Sequence, residues 1–87
     1  MVYYVYMLLS KSLKPVTYVG YTNNLKKRIM LHNSGKGAKF TRGRSWKLIY
    51  KEKFKSKNKA ISREYYIKKN RTLRNKIKNE NFNTTSL

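Results

Sequence analysis

Few side chains in this sequence have the type and spacing to do chemistry, and they stand out because the chemical inventory is so short. The chain carries only three carboxylates, Glu52, Glu64 and Glu80, and one histidine, His32. Glu52 closes an expected strand and Glu80 lies in a polar tail, so both belong at the surface. Glu64 is different, because it interrupts the stripe Ala60, Ile61, Glu64, Tyr65 and Ile67 or Lys68, the apolar face of its own expected helix. A carboxylate in that setting is costly to desolvate unless it meets a cation: Arg28, Arg63, a lysine or a metal ion. On the residues alone, a structural ion pair with Arg28 or Arg63 is the simpler of these readings. Arg28 lies at the margin of another apolar stripe, one helical turn before His32, and there it needs anionic or hydrogen-bonding company. His32 is the one side chain whose ordinary pKa lies near neutrality, although a lone histidine beside a stripe also serves for packing. Tyr6 and Tyr18 belong to a tyrosine-rich pair of segments that gathers phenols beside Gly20.

The elements that must position these groups are legible from pattern. Tyr3 to Leu9 and Val16 to Tyr21 are rich in aromatic and β-branched residues, and the Ser/Lys/Pro run between them carries turn chemistry, so they are expected to form a β-hairpin. The pleat puts Val2, Tyr4, Tyr6 and Leu8 on one face, and Val16, Tyr18 and Gly20 on one face of the second strand. Asn24 and its neighbours cap a helix, Leu25 to His32, which Asn33-Ser34-Gly35 ends. Leu25, Ile29 and His32 recur at i, i+4 and i+7 with Arg28 among them, so Arg28 and His32 face the sheet. Lys36 to Ser45 lacks periodicity and is a loop, readable equally as a connector or as a phosphate-tracking segment.

A third strand is expected over Trp46 to Glu52, with Trp46, Leu48 and Tyr50 on one face. Ser56 caps a second helix over Lys57 to Lys69, and a short third helix around Thr72 to Lys78 is anchored by Leu73 and Ile77. Asn79 to Leu87 is expected to be a frayed polar tail. The order β-β-α-β-α-α predicts an α+β fold, a three-stranded antiparallel sheet flanked by helices. One domain over residues 1–79 and a tail over 80–87 is the expected division.

Composition narrows the partners. The 87 residues hold 22 Lys and Arg against 3 Glu, a formal charge of +19 spread along the chain. Such a field attracts polyanions, and nucleic acid is the commonest in a cell. AT-rich coding accounts for some of the Lys, Asn, Ile and Tyr, but not for the scarcity of acids. No basic amphipathic helix with a broad apolar face points to a membrane. With no cysteine, neither a disulfide framework nor a thiolate zinc site can form, and a single histidine rules out a His-cluster metal site. The N-terminal apolar run lacks a basic leader and is far shorter than the roughly 20 residues that span a bilayer, so the cytoplasm is the expected location.

Tyr4-Val5-Tyr6, then Tyr18-Val19-Gly20, then Arg28 and His32, then a lone Glu64 is an ordered set that resembles the GIY-YIG nuclease superfamily. The resemblance covers Tyr3 to Lys78. It is closest to the small, single-domain bacterial branch, which is also similar to the nuclease domain of structure-specific endonucleases. The loop Asn33 to Arg42 is its most branch-specific part. Two departures stand out: Tyr4 replaces the glycine that opens the first motif, and only Asn75 offers itself for the asparagine that many members carry after the metal-binding glutamate.

The resemblance implies a metal-dependent endonuclease acting on DNA phosphodiesters, in the setting of DNA repair or recombination. Glu64 would hold one divalent cation, Mg²⁺ or Mn²⁺; a single carboxylate with waters and a phosphate oxygen suits Mg²⁺, which keeps much of its hydration. Tyr18 would deprotonate water, directly or through a relay. Tyr6 would orient or assist, Arg28 would fork onto the phosphate, and His32 would aid proton transfer or contact phosphate. Lys36, Lys39, Thr41, Arg42 and Arg44 would track the backbone of the nucleic acid, with Lys39 and Thr41 nearest the phosphate or metal shell. Tyr3, Tyr4, Tyr21, Tyr65 and Tyr66 are read as packing residues. DNA is preferred to RNA, and single-stranded or branched DNA to duplex, because no reading helix is evident while aromatics and a basic loop suit stacking and backbone tracking. Targeting would come from the domain itself or from a protein partner. The rival is a non-catalytic DNA- or RNA-binding protein on the same fold, which predicts salt-sensitive binding with no cleavage.

Overall fold

The fold was analysed in a computed structural model that describes the backbone of residues 1–85 and the side chains of residues 1–81. Its elements run β1 (Tyr3–Ser10), β2 (Thr17–Thr22), α1 (Leu25–Asn33), β3 (Trp46–Phe54), α2 (Lys57–Lys69) and α3 (Arg71–Thr85). The three strands form one antiparallel sheet in the order β2-β1-β3. This is the expected α+β architecture.

β1 is the central strand, and its run Val5-Tyr6-Met7-Leu8 is buried on both faces. Its pleat divides the core. Val5 and Met7 pack with Val19, Ala60, Ile67 and Ile77 against α2 and α3, while Tyr6 and Leu8 pack with Trp46, Leu25 and Ile29 against α1. A strand with helices on both sides needs apolar residues at every position, hence the continuous run.

Side-chain hydrogen bonds fix the joints between these layers. Ser10 and Val16 close the hairpin, the Val16 amide donating to Ser10 Oγ at 2.9 Å. Asn24 and Ser56 cap α1 and α2 by accepting from the amides of Lys27 and Lys59. Asn33 at the end of α1 accepts from the Trp46 amide at 2.6 Å and donates to the Trp46 carbonyl at 3.3 Å, so the end of α1 sets the start of β3. Asn70 ends α2 and opens α3 by accepting from the Leu73 amide at 3.0 Å.

Several expectations about side chains change. A bulge in β3 sets Leu48 opposite Leu8 but Tyr50 opposite Met7, so Tyr50 turns to the α2 side instead of sharing the face of Trp46 and Leu48. Tyr50 and Arg63 both bond Glu52: the phenol donates to it and Arg63 donates through Nε and Nη2 at 3.0–3.1 Å. The partner of Arg63 is therefore Glu52 and not Glu64, and Glu52 is half-buried rather than a surface residue. The buried stripe of α2 is narrower than its sequence, because only Ala60 and Ile67 are buried. Tyr65 and Tyr66, expected to pack, are 56% and 51% exposed, each under a cation, Lys69 and Arg63 respectively. Finally, α3 runs on to Thr85 where the tail was expected to begin near Asn79, with Lys78 Nζ donating to the Pro15 carbonyl and Asn81 to the Ile49 carbonyl. Positions 86–87 of that tail lie outside the described residues.

Candidate active site

The register of the hairpin builds one wall of a cleft. Tyr6 on β1 stands opposite Gly20 on β2, and its phenol lies across the glycine. A Cβ at position 20 would sit 2.5 Å from Tyr6 Oη and 2.7 Å from Cζ, closer than side-chain atoms tolerate. Gly20 is thus the residue that lets a tyrosine ring cross the strand. The cleft, about 380 Å³, collects Tyr6, Tyr18, Arg28 and Glu64 around this glycine. Tyr3, Tyr21, Thr22, Asn23 and Lys57 complete it. Two strands, α1 and α2 converge there, so that Tyr6, Tyr18, Arg28 and Glu64 meet although they are spread along most of the chain.

Behind Tyr6 runs a buried hydrogen-bonded chain. Tyr6 Oη lies 2.7 Å from His32 Nε2, and His32 Nδ1 lies 3.0 Å from Thr41 Oγ1. Thr41 donates its hydroxyl proton to the Ala38 carbonyl at 2.9 Å and accepts from the Ala38 amide at 3.1 Å. With that proton committed, His32 Nδ1 carries hydrogen and donates to Thr41, which leaves Nε2 to accept from the Tyr6 hydroxyl. Tyr6, His32 and Thr41 are all at most 2% exposed. Burial, then the charge of Arg28, lowers the His32 pKa and keeps the ring neutral, as the chain of bonds requires. Gly37 makes room for that ring, since a Cβ there would collide with it.

The front of the cleft is electrostatically divided. Burial pushes the Tyr6 phenol far above its ordinary value, with Tyr18 and Glu64 adding to the rise and Arg28 opposing it. Burial and then Glu64 raise Tyr18, and Arg28 again opposes. Arg28 lowers both phenols without prevailing, so both stay protonated at neutral pH. The Arg28 guanidinium makes no hydrogen bond or ion pair with a described residue, and the residue is half-buried. The carboxylate of Glu64, 17% exposed, forms one ion pair among the described residues, with Lys68 Nζ at 3.7 Å one turn along α2. The cleft therefore presents an unpaired guanidinium and a loosely paired carboxylate to its opening.

These positions sort the expected residues. Tyr6, Tyr18, Arg28 and Glu64 share the cleft, and His32 stands behind it as the partner of Tyr6. Thr41 needs correcting: it is fully buried with its hydroxyl occupied by His32 and Ala38, so it supports the site from behind and does not meet a phosphate. Lys36, Lys39, Arg42 and Arg44 are exposed on the loop, and none of them lines the cleft. Asn75 on α3 is exposed and does not line it either. Lys57 was missed, although it precedes Glu64 by two helical turns and so shares its face. Tyr3 and Tyr21 pack against the cluster of Val5, Met7 and Val19, as expected of them, and also line the cleft.

A small α+β domain here brings two phenols, a guanidinium and a carboxylate into one cleft beside the hairpin. The profile of the GIY-YIG catalytic domain matches residues 2–79, and the chain belongs to the GIY-YIG nuclease superfamily. It is 58% identical over 67 residues to a UPF0213 protein of Clostridium perfringens, covering 76% of this chain and 70% of that one. A UPF0213 protein of Bacillus licheniformis is 57% identical over 53 residues, 60% of this chain and 55% of the relative. The solution structure of a UPF0213 protein from Bacillus halodurans matches with a TM-score of 0.51 at 38% identity, covering 88% of this chain and 82% of that one. These relatives are small bacterial proteins of the same superfamily. No described helix is long and apolar enough to cross a membrane.

Proposed function

We propose that the protein is a divalent-metal-dependent endonuclease that hydrolyses DNA phosphodiester bonds in single-stranded or branched DNA. The observation that carries this reading is the meeting of Tyr6, Tyr18, Arg28 and Glu64 in one open cleft, with the Arg28 guanidinium unpaired among the described residues. An unpaired, half-buried guanidinium at the mouth of a cleft is costly unless an anion visits it, and a phosphate fits its fork.

The donor set fits one cation and no more. No cluster of three or more His, Cys, Asp or Glu exists among the described residues, so a closed protein cage is excluded there. A single carboxylate at the edge of an open polar cleft fits Mg²⁺ or Mn²⁺ held by Glu64, waters and a substrate oxygen. When bound, that ion would offset the Glu64 charge that helps keep Tyr18 protonated and would polarise the phosphate.

The protein's own residues supply the rest. Arg28 holds the non-bridging oxygens and stabilises the charge that grows on them, an effect strengthened by the half-buried wall behind it. Tyr18, the less buried phenol, is protonated in the free protein; with Arg28 beside it and the Glu64 charge offset, it gives up its own proton to solvent through the open cleft, and the phenolate then takes the proton of the attacking water. Tyr6 donates to His32, so its oxygen turns lone pairs toward the cleft and orients that water or the Tyr18 hydroxyl. His32 acts through Tyr6, and Thr41 through His32. Lys57 and the loop cations Lys36, Lys39, Arg42 and Arg44 neutralise neighbouring phosphates. The net charge is suited to a cytoplasmic polyanion as substrate.

End-labelled single-stranded, duplex and flapped DNA and single-stranded RNA, each incubated with Mg²⁺ or Mn²⁺ and with EDTA, test the proposal. Metal-dependent cutting of single-stranded or flapped DNA is expected. Salt-sensitive binding to all four without cutting of any would instead establish the non-catalytic binding protein.

A further inference from the structure

Beside the catalytic cleft, and sharing Tyr18 with it, a second groove follows the edge of β2 and is lined by Thr17, Tyr18, Val19, Phe40, Lys68 and Arg74. None of these is acidic. Phe40 is the outstanding member, because it is an apolar ring left 53% exposed in a domain with little core to spare. It lies nearly parallel to Tyr18, ring centroids 6.2 Å apart and planes 21° apart, and it leans on Trp46 at 6.3 Å. Arg44 sits over its ring at 5.6 Å.

The position of Phe40 is built. The next residue, Thr41, is fully buried in the His32 chain, and its carbonyl accepts from Trp46 Nε1 at 3.0 Å. The Thr41 amide donates to the Ala38 carbonyl at 3.1 Å and the Arg42 amide to the Lys39 carbonyl at 3.3 Å, closing turns on both sides. A ring held out at a groove from an anchored backbone loses little freedom when something stacks on it. On the far wall, Arg74 is also held, Nη1 donating to the carbonyls of Ile67 and Lys68. Its other guanidinium nitrogens keep donors for an anion. Lys68 stands between this groove and Glu64, the catalytic carboxylate, at 3.7 Å.

An aromatic face opposite two cations, with no carboxylate in the lining, matches one nucleotide: a flat base and a phosphate. A base in a duplex has both faces covered by its neighbours, so an unpaired one is required. We infer that this groove is a subsite for an unpaired nucleotide adjacent to the bond being cut, its base stacked on Phe40 and its phosphate held by Lys68 and Arg74. The assignment of "adjacent to the cut" rests on the nuclease reading; the binding does not. Arg44 covers the ring in the free protein, yields it to the base, and moves to the phosphate backbone.

Equilibrium binding of labelled oligonucleotides in EDTA tests this without any cleavage. The parent, Phe40→Ala and Phe40→Tyr are compared on single-stranded DNA, single-stranded RNA and a blunt duplex of the same sequence. Phe40→Ala is expected to lose about tenfold in affinity for both single strands and none for the duplex, with Phe40→Tyr close to the parent. Unchanged single-strand binding by Phe40→Ala overturns the subsite, as does an equal loss on single strands and duplex. A protein that binds and never cuts still reports the ratio, and a nuclease whose Phe40→Ala binds like the parent loses only this subsite.

Discussion

Tyr6 and His32 form one unit, and the sequence showed each without the bond between them. The pleat put Tyr6 beside Gly20, and helical spacing turned His32 toward the sheet. What no pattern contained was Thr41, whose hydroxyl sets the tautomer of His32 from within a loop that has no periodicity. The neutral state of His32 has a measurable consequence. Its folded pKa lies below the ordinary 6.5, so the unfolded chain takes up a proton first as the pH falls. Its contribution to stability is complete above about 6.5 and is lost as the pH drops from there toward the folded value. His32 is the single histidine, and Tm measured between pH 7.5 and pH 5.5 should therefore fall in the parent and flatten in His32→Gln. At the same scale, Tyr18→Phe should reduce cleavage by about 10²–10⁴-fold while leaving binding in EDTA intact. Equal cleavage by that variant would remove Tyr18 from the reaction.

At the scale of elements, the hairpin and α2 carry the site, and two substitutions separate their roles. Gly20→Ala forces a methyl group against the Tyr6 phenol, which is buried and tied to His32, so the ring must leave its place. A cost of about 1–3 kcal/mol is expected, together with loss of cleavage, read from thermal unfolding and from the same end-label assay. Glu52→Ala breaks the Tyr50–Glu52–Arg63 cluster that joins β3 to α2 away from the cleft. About 1–2 kcal/mol of stability should go, with cleavage per folded molecule unchanged. Strand and helix identities were legible because each segment's period matched its structure. The side of Tyr50 was not, since a bulge shifts the period by one residue without a mark in the sequence. Nor was the exposure of Tyr65 and Tyr66, which is set by how narrow a stripe of α2 touches the sheet. The end of α3 was missed for a similar reason: a polar run whose one apolar residue, Phe82, does not continue the spacing of Leu73 and Ile77 looks like a tail even where the helix continues.

The whole molecule is a polycation whose few acids sit at defined places. A charge of +19 should make affinity for single-stranded DNA fall about 10- to 100-fold between 50 and 200 mM salt, if about four phosphates are contacted. A salt-independent affinity would deny the charge its role. The field draws in the polymer, but it does not cut. Cutting is assigned to four side chains at one strand edge, and among them Glu64 is the lone carboxylate. The most direct test is therefore Glu64→Gln, a change of charge with almost no change of shape. Single-turnover cleavage and binding are measured in parallel on the substrate that the parent cuts best, with Mg²⁺ present. The account predicts that Glu64→Gln binds like the parent and does not cut. Cleavage by Glu64→Gln at the parent's rate would contradict it and place the reaction centre elsewhere.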